Sequence, residues 1–337
     1  MPLSISVIIP TYNRARLIAR ALASALANIE PGDEILVVDD GSTDDTAAVL
    51  ATFGDRIRVI AGRHAGAGAA RNTGIAAARG GMVAFLDSDD EWVPGKLALH
   101  RGLFAARPEL LFSFTDFAVH TANGEVRPRY LSEWHHDPRS WDEILGPGVL
   151  YSNLVSLPTS ATDFRVHIGD LYPQLLRGDY VATFTVVTRR LAAGANLRFA
   201  EDIPLHEDSE CFARLARSGQ AAYLDVETAR NHGHDGPRIT DIDLYRGTSA
   251  RLTMLERVWG SDAAFLAGHR DAYDRRRAEL YHMRARWLLS RGRTREARDD
   301  LRHAGAAPLP DRMLAALPGF VARGVFGARR LLRGRSV

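Results

Sequence analysis

Hydrophobic and polar positions follow two alternating periods over the first 90 residues. Short aliphatic runs predict four strands, at residues 5–9, 35–38, 57–60 and 82–86. Apolar residues at helical spacing predict helices between them, at about 17–29, 44–53 and 68–79. Because the strands lack polar alternation and helices separate them, we expect a mostly parallel sheet covered by helices on both faces. This arrangement is typical of α/β nucleotide-binding domains.

The rest of the chain is less regular and then becomes helical. Residues 123–180 carry Pro, Gly, Trp and His without a clear period, which predicts long loops with short helices. The other predicted strands are 110–120, 183–188 and an edge strand at 223–226, and the other predicted helices are 96–107, 208–217, 244–258, 263–291 and 293–304. We therefore expect a catalytic domain over 1–240 and a C-terminal helical extension over 241–337.

Composition narrows the functional class. The chain has 337 residues, is 46% apolar, and carries 43 basic against 41 acidic residues. This balance disfavours a nucleic-acid partner bound through bulk charge. The single cysteine, Cys211, allows neither an intrachain disulfide nor a cysteine-based metal cage. Without a signal-like leader or an 18-residue apolar run, the expected location is cytoplasmic.

Polar residues follow the predicted strands where a ligand is expected in an open parallel sheet. The strand ends read Pro10-Thr11-Tyr12-Asn13, Asp39-Asp40-Gly41-Ser42, Arg63-His64 and Asp87-Ser88-Asp89-Asp90. Such residues also serve as ordinary turn and cap residues. Taken together, they favour a nucleotide site at this edge.

The acidic segment after the fourth strand is the clearest chemical signal. Four of its five residues, Asp87 to Glu91, are acids, and they repel one another unless cations or donors compensate. Mg²⁺ and Mn²⁺ bind through one or two carboxylates together with substrate phosphates. The segment predicts a divalent metal held by Asp87, Asp89 and Asp90. The alternative is that Asp90 caps a helix that begins at Trp92.

Two further segments carry candidate chemistry. Gly66 to Arg71 imitates a dinucleotide fingerprint, but Arg71 replaces its third glycine, so we expect a loop near a ligand and an Arg71 that faces a diphosphate. The pair Glu207-Asp208 stands at the start of a predicted helix. It either caps that helix or supplies a general base. The histidines of His135-His136-Asp137 and His232-Gly233-His234 are weaker metal or phosphate candidates, and Cys211 is expected in the core.

The chain resembles the family-2 glycosyltransferases, the inverting group with the GT-A fold. The motifs are SVIIPTYNRARLIARALASALAN, EILVVDDGSTDDT, GAGAARNTGIAAARGGMVAFLDSDDEW and HEDSECFARLA, and the likeness covers residues 4–100 closely and about 180–235 loosely. It implies that the Pro-Thr-Tyr-Asn segment and the acid closing the second strand, Tyr12 and Asp40, hold the nucleotide base. It also implies that Asp87, Asp89 and Asp90 hold metal and ribose-diphosphate, and that Asp208 is the base.

The resemblance implies a single inverting displacement from a nucleotide-diphosphate sugar, most readily a UDP-sugar, to a saccharide or lipid-linked hydroxyl acceptor. The Q-x-x-R-W motif of processive members is absent, which disfavours a polymerising synthase. Two alternatives stay open. One is a catalytically silent nucleotide-sugar-binding protein, which would need a damaged D-x-D or E-D motif. The other is a nucleotidyltransferase, which would need a glycine-rich basic loop after the first strand.

The C-terminal tail suggests a possible peripheral membrane contact. After Asp311 it contains no acid, and it carries six arginines together with apolar residues at helical spacing. A basic amphipathic helix can lie in the interface of an anionic membrane, here at the inner face. The alternative is a terminal helix that packs on the protein and has a frayed basic end.

Overall fold

The computed structural model describes residues 3–157, 162–233, 243–305 and 308–333. The chain divides into two compact units. Unit 1 comprises Met1–Glu201 and Glu207–Gly236, and unit 2 comprises Asp202–His206 and Pro237–Val337. The predicted boundary after residue 240 falls within 234–242, outside the described residues, so the division at that position stays a prediction.

Unit 1 is built on one sheet, which has eleven strands within the described residues. In chain order they are β1 (Ile5–Thr11), β2 (Glu34–Asp39), β3 (Arg58–Ala61), β4 (Met82–Phe85), β5 (Glu91–Trp92), β6 (Phe112–His120), β7 (Val126–Arg127), β8 (Val149–Leu150), β9 (Arg165–Gly169), β10 (Val187–Arg189) and β11 (Ala221–His232). The spatial order is β3-β2-β1-β4-β10-β6-β11-β9-β8, with β5 paired to β11 and β7 to β6.

Strand directions bring the candidate residues to one edge of the sheet. Strands β1 to β4 are mutually parallel, and so are β6 and β11. Strand β10 runs antiparallel between β4 and β6, so β4 and β6 point the same way. The carboxyl ends of β1–β4, β6 and β11 therefore share an edge, where α/β proteins bind ligands.

The apolar runs form the core, as their pattern predicts. Val7, Ile8 and Ile9 of β1 are fully buried, and every residue of β4 is buried. The flanking helices of unit 1 are α1 (Ile18–Leu26), α2 (Thr46–Ala51), α3 (Ala67–Ala77), α4 (Lys96–Ala106), α5 (Leu131–His135), α6 (Trp141–Leu145), α7 (Tyr172–Leu175), α8 (Arg190–Ala193) and α9 (Glu207–Ser218). The predicted α/β sheet flanked by helices is thus confirmed.

The strand predicted over 183–188 is wrong in its first half. Thr183–Thr185 forms a 3₁₀ turn, and only Val187–Arg189 is extended. The Thr185 N–H and hydroxyl both donate to the Ala182 carbonyl, at 2.9 and 2.7 Å. These local bonds override the β preference of the threonines.

The edge strand predicted over 223–226 is wrong in both length and position. Strand β11 runs from Ala221 to His232 and lies inside the sheet, between β6 and β9. Its second half is polar, so it does not read as a buried strand. Those polar residues pair with the acidic segment described below.

Unit 2 is helical. Its helices are α10 (Leu244–Leu255), α11 (Ala263–Ser290), α12 (Thr294–His303), α13 (Leu309–Ala316) and α14 (Gly319–Arg333), with a π-turn at Glu256–Gly260. Its core contains Leu288 and Leu289 of α11, Leu301 of α12 and Leu314 of α13. Among the described residues, no helix combines the length and apolar character needed to cross a membrane.

Candidate active site

The ends of β1 and β2 are joined through Asn13. Its side-chain oxygen accepts the N–H of Thr43 at 2.7 Å, and its own N–H donates to the Ser42 hydroxyl at 2.9 Å. Asn13 has φ 52°, a left-handed conformation that asparagine tolerates well. Asp39 accepts the Ser42 N–H at 3.0 Å. Asn13 and Asp39 therefore shape the loops at this edge.

Tyr12 follows β1 and Asp40 follows β2, and both contact the loop that follows β3. The Tyr12 ring stacks on His64 with centroids 4.0 Å apart, and Tyr12 is 37% exposed. The two carboxylate oxygens of Asp40 accept the N–H groups of Ala65 and Gly66 at 2.8 and 2.7 Å. This carboxylate, which is buried, fixes the loop that carries His64. The stacked rings of Tyr12 and His64 therefore lie beside the buried carboxylate of Asp40.

Pro10 and Thr11 end strand β1 inside the protein. Both are buried, and the Thr11 hydroxyl has no hydrogen-bond partner within the described residues. Ser88 is also buried. These three predicted contacts to a nucleotide-sugar stay predictions.

The acidic segment spreads its carboxylates in different directions. Asp87 pairs with Arg71 at 2.8 Å, whereas Asp89 lies 3.8 Å from the Arg14 Nε. Asp90 is buried and accepts from the Asn231 side chain at 2.9 Å and from the His232 N–H at 3.3 Å. Residues after β4 thus meet residues at the end of β11, and mutual repulsion is offset by separate partners.

Burial governs the titration of this segment. It raises the pKa of Asp90 well above its usual range, and the charges of Asp89 and Asp87 add to the effect. Burial also raises the pKa of Asp87, although Arg71 opposes it. Asp90 does not cap a helix, because α4 begins only at Lys96 and its N-cap residue is Gly95.

The partly exposed carboxylates at this edge fit a divalent ion whose remaining ligands come from the phosphates of a bound substrate. Across the described ranges, no group of three His, Cys, Asp or Glu side chains could enclose a metal ion. The predicted trio of Asp87, Asp89 and Asp90 therefore does not converge, since Asp90 points into the protein. Asp87 and Asp89 remain partly exposed at the edge. One or two carboxylates completed by phosphate oxygens is the usual arrangement for Mg²⁺.

Arg71 links the two acidic segments of the sequence. Its guanidinium donates to Asp87 at 2.8 Å and to Glu207 at 2.9 Å, and its carbon lies 5.1 Å from the Phe199 ring centre. The side chain is buried. Burial alone disfavours its charge, but Asp87, Glu207 and Asp208 raise the pKa of Arg71. Within the protein its charge is directed at these carboxylates, and contact of Arg71 with a diphosphate stays a prediction.

Glu207 and Asp208 begin helix α9 in different surroundings. Glu207 is 8% exposed, and burial together with the Asp208 charge raises its pKa to about 7, against the effect of Arg71. Asp208 is half-buried, and it accepts the Thr183 hydroxyl at 3.0 Å and the Ser209 N–H at 2.7 Å. Two adjacent acids thus have separate environments, as acid–base sites require.

A glycine in the first turn of α3 packs closely on another segment of the protein, and approach of the preceding loop to a ligand stays a prediction. A Cβ on Gly68 would lie 2.8 Å from the Ala200 carbonyl and 3.3 Å from Glu207 Cγ. Gly66 has φ 94°, which opens helix α3. The close approach brings Glu207 within reach of Arg71. The predicted helix is confirmed, with bounds Ala67–Ala77.

The weaker histidine candidates have structural partners. His135 is buried and accepts the Asp137 N–H at 3.0 Å, while Asp137 pairs with Arg139 at 2.6 Å. His232 contacts Glu91 at 2.9 Å. His234 lies outside the described residues.

Cys211 lies in the core, as expected. It is fully buried, and burial raises the pKa of its thiol to about 12.

Sequence reasoning missed Arg14, Thr183 and Asn231 as parts of the site. Each contacts a candidate acid that is 25 or more residues away in the chain. Arg14 directly follows the Pro-Thr-Tyr-Asn segment but has no distinctive spacing to an acid, and the β-branched run around Thr183 favours a strand interpretation. Only the tertiary contacts identify them.

Comparison with known proteins identifies the group. Residues 6–140 match the family described as Glycosyl transferase family 2. Succinoglycan biosynthesis protein ExoU of Rhizobium meliloti is 30% identical over 292 residues, which cover 84% of this chain and 75% of that protein. The matched segments span only 31%, 28% and 28% of the length of three other curated relatives.

Solved structures share the fold. S. aureus TarS 1–349 in complex with UDP-GlcNAc superposes with a TM-score of 0.58 at 16% identity and covers 89% of each chain. The mannosyltransferase PcManGT of Pyrobaculum calidifontis, in complex with GDP-Man and Mn²⁺, gives 0.51 at 18% identity, with 94% of this chain and 79% of that chain covered. The chain therefore belongs to glycosyltransferase family 2 and has the GT-A fold.

Proposed function

We propose that this chain is a non-processive inverting glycosyltransferase that moves a sugar from a nucleoside-diphosphate donor to a saccharide hydroxyl. The observation that carries the proposal is that Arg71 donates to both Asp87 and Glu207. These two bonds bring Asp208 near the acidic segment at the carboxyl edge of the sheet. TarS with UDP-GlcNAc and the role of ExoU in succinoglycan biosynthesis support a UDP-sugar donor and a polysaccharide product.

The donor would lie along the ends of β1 to β4. Tyr12, stacked on His64, offers an aromatic surface for the nucleobase, with the Asp40 carboxylate beside it. Asp87 and Asp89 would hold a divalent ion together with the diphosphate. When bound, that ion would offset negative charge on the leaving diphosphate. The Mn²⁺ of PcManGT supports this ligand class.

Asp208 would act as the general base. It would accept the proton of the acceptor hydroxyl as that oxygen attacks the anomeric carbon and the diphosphate departs from the opposite face. The bonds from Thr183 and Ser209 fix the direction of its carboxylate. Glu207, bound to Arg71, holds the start of α9 in place. Inversion follows from a single displacement.

The variant Asp208→Asn tests this role. We expect kcat to fall by about 10²-fold or more, with little change in donor affinity, because the amide keeps the shape but accepts no proton. Release of UDP measured against acceptor concentration gives kcat. Asp55→Asn, an exposed change in the turn before β3, is the matched control. Full activity of Asp208→Asn would instead leave Asp208 as a helix-start residue and contradict its role as the base, whereas no turnover in the unaltered protein would favour the non-catalytic binding alternative.

The variant Asp89→Ala tests the metal assignment. In the unaltered protein, Mn²⁺ should tighten UDP-sugar binding in a calorimetric titration, and the variant should lose this effect while keeping its fold. Unchanged binding and activity of the variant in EDTA would contradict the assignment.

We also propose peripheral contact of unit 2 with an anionic membrane. Leu309 and Met313, one turn apart on α13, are 67% and 62% exposed, and Phe320 of α14 is 74% exposed. Arg312 is exposed beside them. An apolar surface flanked by arginine suits an anionic interface, where each basic residue contributes about 1 kcal/mol.

Sedimentation with vesicles of phosphatidylcholine and phosphatidylglycerol tests this contact. The triple variant Leu309→Ser, Met313→Ser, Phe320→Ser should pellet less than the unaltered protein. The control variant Leu191→Ser removes an exposed leucine of unit 1 and should pellet normally. Equal pelleting of the triple variant would exclude this surface.

A further inference from the structure

Trp134 stands out among the aromatic residues of unit 1. Of the five tryptophans in the chain, it is the exposed one, at 43%, whereas Trp92 is fully buried. Single exposed apolar residues are ordinary on protein surfaces. Trp134 differs because of its position relative to Asp208.

A line of ring contacts connects Trp134 to the candidate base. The indole packs edge-to-face on Phe117, with centroids 5.9 Å apart, and Phe117 packs edge-to-face on Phe184 at 5.0 Å. Phe184 follows Thr183, whose hydroxyl donates to Asp208 at 3.0 Å. Trp134 is thus two ring contacts from the segment that holds Asp208.

A second path reaches the same place through the backbone. A Cβ on Gly178 would lie 3.2 Å from the carbonyl of His135, the last residue of α5. The next residue, Asp179, accepts the Ser209 hydroxyl at 2.8 Å, and Ser209 directly follows Asp208. Helix α5 therefore adjoins the base segment from two independent directions.

The packing of α5 fixes the position of the indole. Leu131 and His135, one turn apart, are both buried and anchor the helix, while the Trp134 ring contacts Phe117 and stays 43% exposed. The Leu131 N–H donates to the buried carboxylate of Asp116 at 3.0 Å. Asp116 also accepts the Tyr223 hydroxyl at 3.2 Å. The helix is tied to β6 and β11, so the indole is held in place.

We infer that Trp134 is a stacking platform for the acceptor saccharide. A pyranose ring has an apolar C–H face and a polar hydroxyl rim, which suits an amphipathic indole two ring contacts from the segment that holds the proposed base. A ring stacked on Trp134 would leave its hydroxyl groups free to turn toward Asp208. The inference rests on the proposed transferase function, for which it names the acceptor side of the site.

Fluorescence titration and kinetics test the inference together. The protein is loaded with UDP and Mn²⁺ and titrated with the methyl glycosides of glucose, galactose and N-acetylglucosamine, and with cellobiose and lactose. We expect at least one saccharide to change the tryptophan emission, and the change to disappear in Trp134→Phe but persist in the control Trp287→Phe. No saccharide-dependent change, or its persistence in Trp134→Phe, would overturn the inference.

Kinetics separate this subsite from the chemistry. With the saccharide that changes the emission, Trp134→Ala should raise the acceptor KM about tenfold or more, and Trp134→Phe should raise it less, because a smaller ring still stacks. The donor Kd and the slow hydrolysis of UDP-sugar should not change, so a failure of this inference is distinct from a failure of the proposed function. An unchanged acceptor KM in Trp134→Ala would refute the platform.

Discussion

Unit 1 buries two basic side chains, Arg71 and Lys96, in opposite electrostatic surroundings. Arg71 has two carboxylate partners, Asp87 and Glu207, which raise its pKa. Lys96 is the single lysine of the chain and is fully buried. Within the described part of the chain, no carboxylate lies within ion-pair distance of it. Burial lowers the pKa of Lys96 well below its usual range.

The partners of Lys96 are neutral. Its amine lies 2.7 Å from the Thr185 carbonyl, 3.2 Å from the Thr228 hydroxyl and 3.1 Å from His100 Nε2. Burial also lowers the pKa of His100 well below its usual range, so the pair can lose its charge. A buried group either gains a counter-charge or neutralises. The carboxylates raise the pKa of Arg71 where two acidic segments meet, whereas burial without a counter-charge lowers the pKa of Lys96 between neutral segments.

Removing Arg71 should have the largest effect. Arg71→Met leaves the buried carboxylate of Glu207 and the partly exposed carboxylate of Asp87 without a cation, which should lower the free energy of unfolding by about 3 kcal/mol. It should also abolish most turnover, because both acidic segments lose their shared anchor. Chemical denaturation and UDP release measure the two effects.

Arg127→Met is the matched control for Arg71→Met. Arg127 pairs with Glu125 at the surface, where such pairs contribute about 1 kcal/mol or less. Arg71→Lys keeps the charge but cannot span both carboxylates with a planar fork, and it should recover only part of the stability. A loss in Arg71→Met no greater than in Arg127→Met would contradict the counter-charge role.

The Glu207 carboxyl should make stability depend on pH. Its folded pKa is about 7, above the value of 4.5 expected for an unfolded chain. Between these values the folded state holds a proton that the unfolded state lacks, so the free energy of unfolding falls as pH rises from 4.5 to 7. Across this window the unaltered protein should lose about 3 kcal/mol of unfolding free energy relative to Glu207→Gln, and the difference should stay constant above it. A pH-independent difference would show that Glu207 is ionised throughout.

The surroundings of Arg71 separate the features that the sequence predicts from those that only the tertiary structure reveals. The four parallel strands, their helices and the acidic segment follow from periodicity and polar strand ends, which are local properties. The partner of Arg71 is not local, since Glu207 lies 136 positions away. A glycine-rich loop before an arginine suggests a phosphate site, and only the tertiary structure shows that Gly68 packs against Ala200 and that Arg71 pairs with two carboxylates. Such pairings between distant segments do not follow from local periodicity.

The strands in the second half of unit 1 are poorly predicted from the sequence for the same reason. Polar residues of β11, such as Asn231 and His232, lie in a strand because Asp90 and Glu91 bind them. A hydrophobicity pattern treats such residues as loop. Thr183–Thr185 has strand-forming residues but turns, because its polar groups bond to Ala182, to Lys96 and to Asp208.

Replacing Lys96 should have a smaller effect than replacing Arg71. Lys96→Met keeps the length of the side chain, and no carboxylate pairs with the amine, whose pKa burial lowers. The Thr185 carbonyl and Thr228 hydroxyl lose a partner, which should cost about 1–3 kcal/mol of unfolding free energy. Donor affinity should stay the same in a calorimetric titration. A loss as large as that of Arg71→Met would mean that Lys96 is charged in the folded protein.

The smallest expected effect concerns Thr183, which connects the two regions. Its hydroxyl donates to Asp208, and its neighbour Thr185 accepts from Lys96 through the carbonyl. Thr183→Val keeps the shape but frees the Asp208 oxygen, and a misdirected base should lower kcat about fivefold, the equivalent of one hydrogen bond. Thr183→Ser restores the donor and should restore kcat, while the donor KM stays unchanged in both variants. If Val and Ser at this position give the same kcat, the hydroxyl does not position Asp208, and the link between the scaffold lysine and the base is only one of packing.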